Sequence, residues 1–200
     1  MVFWMCRTWS RCGWSGIDST WRSVLPAAKT EKKAAALVEL LILDVDGVLT
    51  DGSIYLDDLG HETKRFNVRD GFGIKLWQKL GFTVAIVTGR AGRAVLHRVA
   101  ELGIQQVIQG AKDKSASLDE LAKRNGLALE KIACLGDDWP ELSMMKRVGY
   151  PMGVADADPR VREAAAFVTK AVGGHGAARE AIEHLIMAKG LMEKALKFYD

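Results

Sequence analysis

Asp44 and Asp46 stand one residue apart in Asp44-Val45-Asp46-Gly47, directly after the apolar run Leu40-Leu41-Ile42-Leu43. Two carboxylates at the end of a buried strand are costly to desolvate unless something offsets their charge. A hard divalent cation does so, and magnesium takes carboxylate oxygens together with substrate phosphate and water. Asp44 then has one oxygen for the metal and one with which to attack phosphorus, giving a covalent intermediate. Asp46 is close enough to protonate the leaving alkoxide and then to activate water. Gly47 lets the backbone turn tightly so that amides face the phosphate. The same residues also suit a plain turn at the strand end, because Asp-Gly is a common turn pair.

The elements that would position these groups are legible from Glu39 onward. Leu40-Leu41-Ile42-Leu43 and Thr83-Val84-Ala85-Ile86-Val87 read as buried parallel strands, as do Ile132-Ala133-Cys134-Leu135 and, more weakly, Gln106-Val107-Ile108. Helical patterns lie between them over residues 73–80, 91–102, 115–125 and 141–147, with Gly81, Gly103 and Gly126 where helix-terminating glycines belong. Strands alternating with helices predict an α/β fold, a doubly wound parallel sheet with helices on both faces. Such sheets bind ligands beyond the carboxyl ends of their strands. Asp44, Thr88, Lys114 and Asp137 all fall at strand ends or just after them. Taken singly, Thr88 is equally a helix N-cap, Lys114 a surface lysine, and Asp137 with Asp138 a solvated turn. Residues 53–56 and 61–68 flank Asp57-Asp58-Leu59-Gly60 and read as a projecting β-hairpin.

Composition narrows the function classes. The 200 residues suit one domain, and a net charge of +3 without a long basic run gives no reason to expect nucleic acid. No apolar run approaches the roughly 20 residues of a membrane span. Cys6, Cys12 and Cys134 make no paired framework, which with no visible secretory signal suggests a reducing cytoplasm. Residues 1–36 read differently: Trp4, Trp9, Trp14 and Trp21 are mixed there with arginine and serine. That stretch is read as a disordered extension or upstream sequence, with a partner-binding arm as the alternative. The domain is placed at 37–190, and residues 191–200 are read as a tail.

Asp44-Val45-Asp46-Gly47-Val48-Leu49-Thr50 resembles the first motif of the haloacid dehalogenase superfamily in its phosphatase form. Thr88-Gly89-Arg90 resembles the second motif, Lys114 the third, and Gly136-Asp137-Asp138 the fourth, in the right order. The resemblance implies catalytic roles for Asp44, Asp46, Thr88 and Lys114, and a magnesium site at Asp44, Asp46 and Asp137. Phosphoryl transfer depends on positioning and on neutralising charge over the phosphoryl oxygens, which these groups would supply. One departure stands in the fourth motif, where Glu141 occupies a position that usually carries aspartate.

About 43 residues separate Asp44 from Thr88 and about 22 separate Lys114 from Asp137, so neither gap holds a cap domain. The stretch from Leu40 to Gly190 is similar to the family of 3-deoxy-D-manno-octulosonate 8-phosphate phosphatases, through Phe66-Asn67-Val68-Arg69-Asp70-Gly71 and Gln109-Gly110 as well as the four motifs. That resemblance implies a homotetramer with a central barrel of hairpins and a sugar phosphate substrate. It implies substrate contacts at Asp46, Asn67, Val68, Arg69, Asp70, Gly71, Lys75, Gly89, Arg90, Arg98 and Lys114. Arginine suits bidentate recognition of the substrate's carboxylate, although Lys75 and Arg98 equally fit a solvated helix face and Arg69 with Asp70 a local ion pair. In residues 173–180, similar to the family's tail motif, His175 stands where arginine is usual. A nine-carbon sialic-acid-type 9-phosphate is the alternative substrate, and a non-catalytic sugar-phosphate-binding homologue is the alternative class. A phosphomutase fits less well, since it needs a closing cap to keep water off the phospho-enzyme.

Overall fold

The computed structural model describes residues 28–200. Six parallel strands form the main sheet, in the order β5-β4-β1-β6-β7-β8. They are β1 (Leu40–Leu43), β4 (Thr83–Thr88), β5 (Gln106–Gln109), β6 (Ile132–Gly136), β7 (Tyr150–Gly153) and β8 (Phe167–Val168). Every residue of β1 is fully buried, as its unbroken aliphatic run requires of a strand covered on both faces. Leu43, the last residue of β1, pairs with Ile86 of β4 and with Leu135 of β6, and those strands run on to Thr88 and Gly136, so the carboxyl ends of all three face the same side. The chain leaves β4 toward β5 and leaves β6 toward β7, in opposite directions from β1. Asp44 therefore sits at the switch point of the sheet, where a crevice opens.

Helices cover both faces. α2 (Val68–Lys79) packs on α7 (Ala177–Ala188) and on β4, with α3 (Arg93–Leu102) beside it. On the other side α4 (Lys114–Asn125), α5 (Leu142–Met145) and α6 (Pro159–Ala164) pack against one another and on β4 and β7. The observed α2 starts five residues before the expected helix, because Asn67 caps it by accepting from the Arg69 N–H at 2.8 Å. No cap domain lies among the described residues.

Residues 55–63 form the expected hairpin, with β2 (Tyr55–Leu56) antiparallel to β3 (Glu62–Thr63). Asp57 Oδ1 ties its turn by accepting from the N–H groups of Leu59 (2.9 Å) and His61 (2.8 Å). Gly60 takes a φ of 78° there.

A helix, α1 (Ala28–Leu37), occupies the end of the segment set apart as an extension, and its Ala35 is fully buried against the core. α1 packs on α7, so residues 28–36 include part of the packed structure. The tryptophan-rich stretch itself lies outside the described residues. At the other end, α8 (Met192–Leu196) folds back on α7, and Tyr199 packs against Phe72 of α2. Among the described residues no helix is long and apolar enough to cross a membrane.

Candidate active site

The first motif folds into a tight reverse turn. Val45 O accepts from the N–H groups of Leu49 (2.9 Å) and Thr50 (3.0 Å), which wraps the chain back over the strand end. Gly47 takes a φ of 85°, and a Cβ there would overlap the Asp137 carboxylate. Glycine is required twice over, for its conformation and for the approach of Asp137. The loop before α7 braces this turn from behind. Gly174 N–H donates to Val48 O at 2.9 Å, and a Cβ on Gly173 would strike Gly47 O.

Lys114 reaches the nucleophile from the first turn of α4, which Asp113 caps. Its Nζ lies 3.0 Å from Asp44 Oδ1 and also pairs with Glu141 Oε1. The contact with Asp44 is an ion pair without the alignment of a hydrogen bond, so Oδ1 has no hydrogen-bond partner. Glu141 is buried too, and its second oxygen accepts from the Asp138 N–H at 3.0 Å. Side chains on Gly136 are forbidden by this arrangement, since a Cβ would meet Glu141. The longer carboxylate at position 141 is thus fully engaged, clamping Lys114 to the loop after β6.

Asp44, Asp137 and Glu141 each offer a ligand oxygen, and those oxygens lie within 4.8 Å of one another. Burial and crowding raise the proton affinity of Asp44 and Asp137. Burial pushes Asp137 up to about 8, with the charges of Glu141, Asp44 and Asp138 adding to it. Burial likewise raises Asp44 to about 6 against the opposing charge of Lys114. Burial also works against the charge on Lys114, but Asp44 and Glu141 outweigh it and hold its pKa above the ordinary value. One ammonium does not neutralise three carboxylates. The unmatched charge, the oxygen donors and the Asp44 Oδ1 that accepts no hydrogen bond together fit a hard divalent cation.

Asp46 faces elsewhere. Its carboxylate pairs with Lys64 from the hairpin, and Arg90 Nε stands 3.8 Å from its Oδ2. Its side-chain oxygens lie outside the cluster of Asp44, Asp137 and Glu141. Thr88 is buried at the end of β4, its Oγ1 accepting from the Arg90 N–H at 3.4 Å. Gly89 and Arg90 follow it into solvent.

The residues around the start of α2 form a second group. Asp70 is buried and accepts from the N–H groups of Gly176 (3.3 Å) and Arg179 (2.8 Å), capping α7 rather than pairing with Arg69. Burial raises its pKa against those bonds. Arg98 donates to Asn67 O at 3.2 Å and to Glu101 at 2.7 Å, and a Cβ on Gly71 would strike its guanidinium. Asn67 also donates to Gly174 O at 3.4 Å, which links this group to the brace behind the first motif. Val68, Arg69 and Lys75 are exposed. Lys64, which pairs with both Asp46 and Glu62, went unread in the sequence. The signal was there in Glu62 and Lys64, two residues apart and so on one face of a strand.

Comparison with known proteins places the whole domain among relatives. The family of haloacid dehalogenase-like hydrolases matches residues 105–180. The 3-deoxy-D-manno-octulosonate 8-phosphate phosphatase of Escherichia coli is 41% identical over 170 residues, 85% of this chain and 90% of that protein. A crystal structure of the Moraxella catarrhalis phosphatase of that name, in complex with magnesium, phosphate and KDO, superposes with a TM-score of 0.84. It is 34% identical and the match covers 87% of this chain and all of that one, 100%. A cobalt-bound phosphatase from Haemophilus influenzae gives a TM-score of 0.79 at 35% identity, over 84% of this chain and 99% of that one. With the four motifs gathered at one sheet end, the chain belongs to the 3-deoxy-D-manno-octulosonate 8-phosphate phosphatase family of haloacid dehalogenase-like phosphoric monoester hydrolases.

Proposed function

We propose that this protein hydrolyses 3-deoxy-D-manno-octulosonate 8-phosphate to the free sugar acid and phosphate through an aspartyl-phosphate at Asp44. The observation that carries the mechanism is the buried Asp44 carboxylate at the β1 terminus, with Lys114 3.0 Å away and two further carboxylates beside it. A carboxylate oxygen of Asp44 attacks phosphorus while the bond to the sugar oxygen breaks and Asp46 gives its proton to the leaving alkoxide. Water, losing a proton to Asp46, then attacks the phosphorus and breaks the bond to Asp44, freeing phosphate and restoring both carboxyl groups. Lys114, held by Glu141, stabilises charge on the attacking oxygen, and the amides after Val45 and Thr88 orient the phosphoryl group. Magnesium held by Asp44 and Asp137, with Glu141 in reach, would supply the remaining positive charge on the phosphoryl oxygens.

Arg90 is open to the substrate's carboxylate or hydroxyls, and with Asn67, Val68, Arg69, Asp70, Gly71, Lys75, Gly89 and Arg98 it makes up the proposed substrate wall. In this reading Asp70, Gly71 and Arg98 act mainly by fixing α2 and its Asn67 cap. The capless site gains its last wall from a neighbour in a homotetramer. Exposed Ile54, Tyr55, Leu56 and Leu59 on a two-stranded hairpin support that assembly. The activity belongs to lipopolysaccharide precursor synthesis in the cytoplasm.

The test is magnesium-dependent phosphate release from a panel of sugar phosphates that includes eight- and nine-carbon keto acids. Preference for the eight-carbon acid supports the reading, preference for the nine-carbon acid moves the substrate, and no release from any sinks it. Asp44→Asn is expected to abolish turnover with the fold intact. Substantial residual activity in that variant would exclude the covalent route.

A further inference from the structure

Lys64 carries an expensive placement. It stands just after β3 on a hairpin that projects into solvent, where a lysine costs nothing, yet its side chain is only 2% exposed. The ammonium is held between Asp46 Oδ1 and Glu62 Oε1, the latter at 2.8 Å. Glu62 Oε1 also accepts from Arg90 Nη2 at 3.0 Å, and Arg90 Nε closes the circuit 3.8 Å from Asp46 Oδ2. Four charges, two of each sign, thus form a ring joining the nucleophile turn, the hairpin and the loop after β4. Burying a paired charge adds little to stability compared with leaving it in water. What such a ring does provide is a fixed direction for the carboxylate it encloses.

We propose that Lys64 is a positioning residue for Asp46, with Glu62 as the group that holds the ammonium in place. This rests on the acid–base role assigned above to Asp46. Lys64 Nζ bonds one Asp46 oxygen, Oδ1, and leaves Oδ2 without a hydrogen-bond partner, free to meet the leaving oxygen of a substrate. Without Lys64 the Asp46 side chain has only the longer Arg90 contact to orient it, and Arg90 itself is nearly half exposed. The hairpin therefore reaches into the chemistry through one side chain.

The test compares two leaving groups. An alkyl phosphate needs its departing oxygen protonated, whereas p-nitrophenyl phosphate leaves as a stable phenolate and does not. Because Asp46 also serves the later hydrolysis, which is common to both substrates, the comparison is made on kcat/KM, which covers only the steps through departure of the leaving group. Lys64→Met is expected to lower kcat/KM on 3-deoxy-D-manno-octulosonate 8-phosphate by roughly tenfold or more, the low end of what a positioned general acid contributes. On p-nitrophenyl phosphate the same variant should lose no more than about threefold in kcat/KM. Lys64→Arg should recover most of the loss. In an Asp46→Asn background, Lys64→Met should cost little further, because the two act as one unit. Glu62→Gln is expected to reproduce the leaving-group pattern in weaker form, and it serves if Lys64→Met does not fold. Equal losses of kcat/KM on both substrates, or full additivity with Asp46→Asn, would overturn the proposal. If Asp46→Asn itself shows no leaving-group dependence, the fault lies with the acid–base reading. If Asp46→Asn shows it and Lys64→Met does not, the fault lies with Lys64.

Discussion

Replacing Asp137 by asparagine is expected to stabilise the metal-free protein while destroying its response to magnesium. Burial and three neighbouring carboxylates hold Asp137 at about 8, against an ordinary value of 3.8. A carboxyl whose folded pKa is raised carries no penalty below the unfolded value. Above it the unfolded chain gains by ionising and the folded chain does not, so stability falls as pH rises from about 4 to about 8. At about 1.4 kcal/mol per pH unit, the loss reaches on the order of 5 kcal/mol at pH 8.5 and only about 1.5 kcal/mol at pH 5. Asparagine does not ionise and keeps the backbone carbonyl that accepts from Asp158 N–H at 2.7 Å. Urea unfolding in a chelator should then show the variant ahead of the parent by several kcal/mol at pH 8.5, with the gap closing toward pH 5. Added magnesium should stabilise the parent at pH 8.5 and leave the variant unmoved. A variant equal to or weaker than the parent at pH 8.5 without metal would refute the account of crowded carboxylates.

Two further outcomes are expected. Gly47→Ala forces a side chain into a left-handed conformation at roughly 1–2 kcal/mol and displaces Asp137; magnesium half-saturation should rise about 10-fold or more, read by metal titration of phosphatase activity. Deleting residues 1–27 should leave melting temperature and turnover unchanged, whereas extending the cut through residue 36 removes buried Ala35 and the Ala36 carbonyl that accepts from Lys189 at 2.7 Å. The longer cut should cost on the order of 1–2 kcal/mol, visible as a lower denaturation midpoint.

The sheet centre was legible because its strands are short, wholly apolar and end in chemistry-bearing residues. Its right-hand edge was not. β7 reads Tyr150-Pro151-Met152-Gly153, and proline and glycine together look like a turn. β8 is only two residues long. α7 follows three glycines in the four residues 173–176, and glycine at that density masks where its helical period begins. The site divides similarly. Asp44, Lys114 and Asp137 were found because each follows a recognisable strand or begins a helix. Glu141 was seen only as a departure, since nothing in the sequence shows that its side chain turns back onto Lys114. Lys64 was missed because alternating charges on a hairpin normally face water. The metal set was read as Asp44, Asp46 and Asp137; the side-chain oxygens of Asp44 and Asp137 cluster, with that of Glu141 beside them.

The brace behind Gly47 bears on how the protein is made. β1 emerges early in synthesis, but its neighbour β6 begins 92 residues later in the pairing of Leu40 with Ile132. Gly173 and Gly174, which lock the nucleophile turn, come later still. A nascent chain stopped anywhere before this loop holds Asp44 with no ceiling over its turn, and before β6 it lacks Asp137 and Glu141 as well. Phosphatase chemistry is therefore expected only once nearly the whole polypeptide has left the ribosome, so a chain truncated before this loop should release no phosphate from phosphate esters.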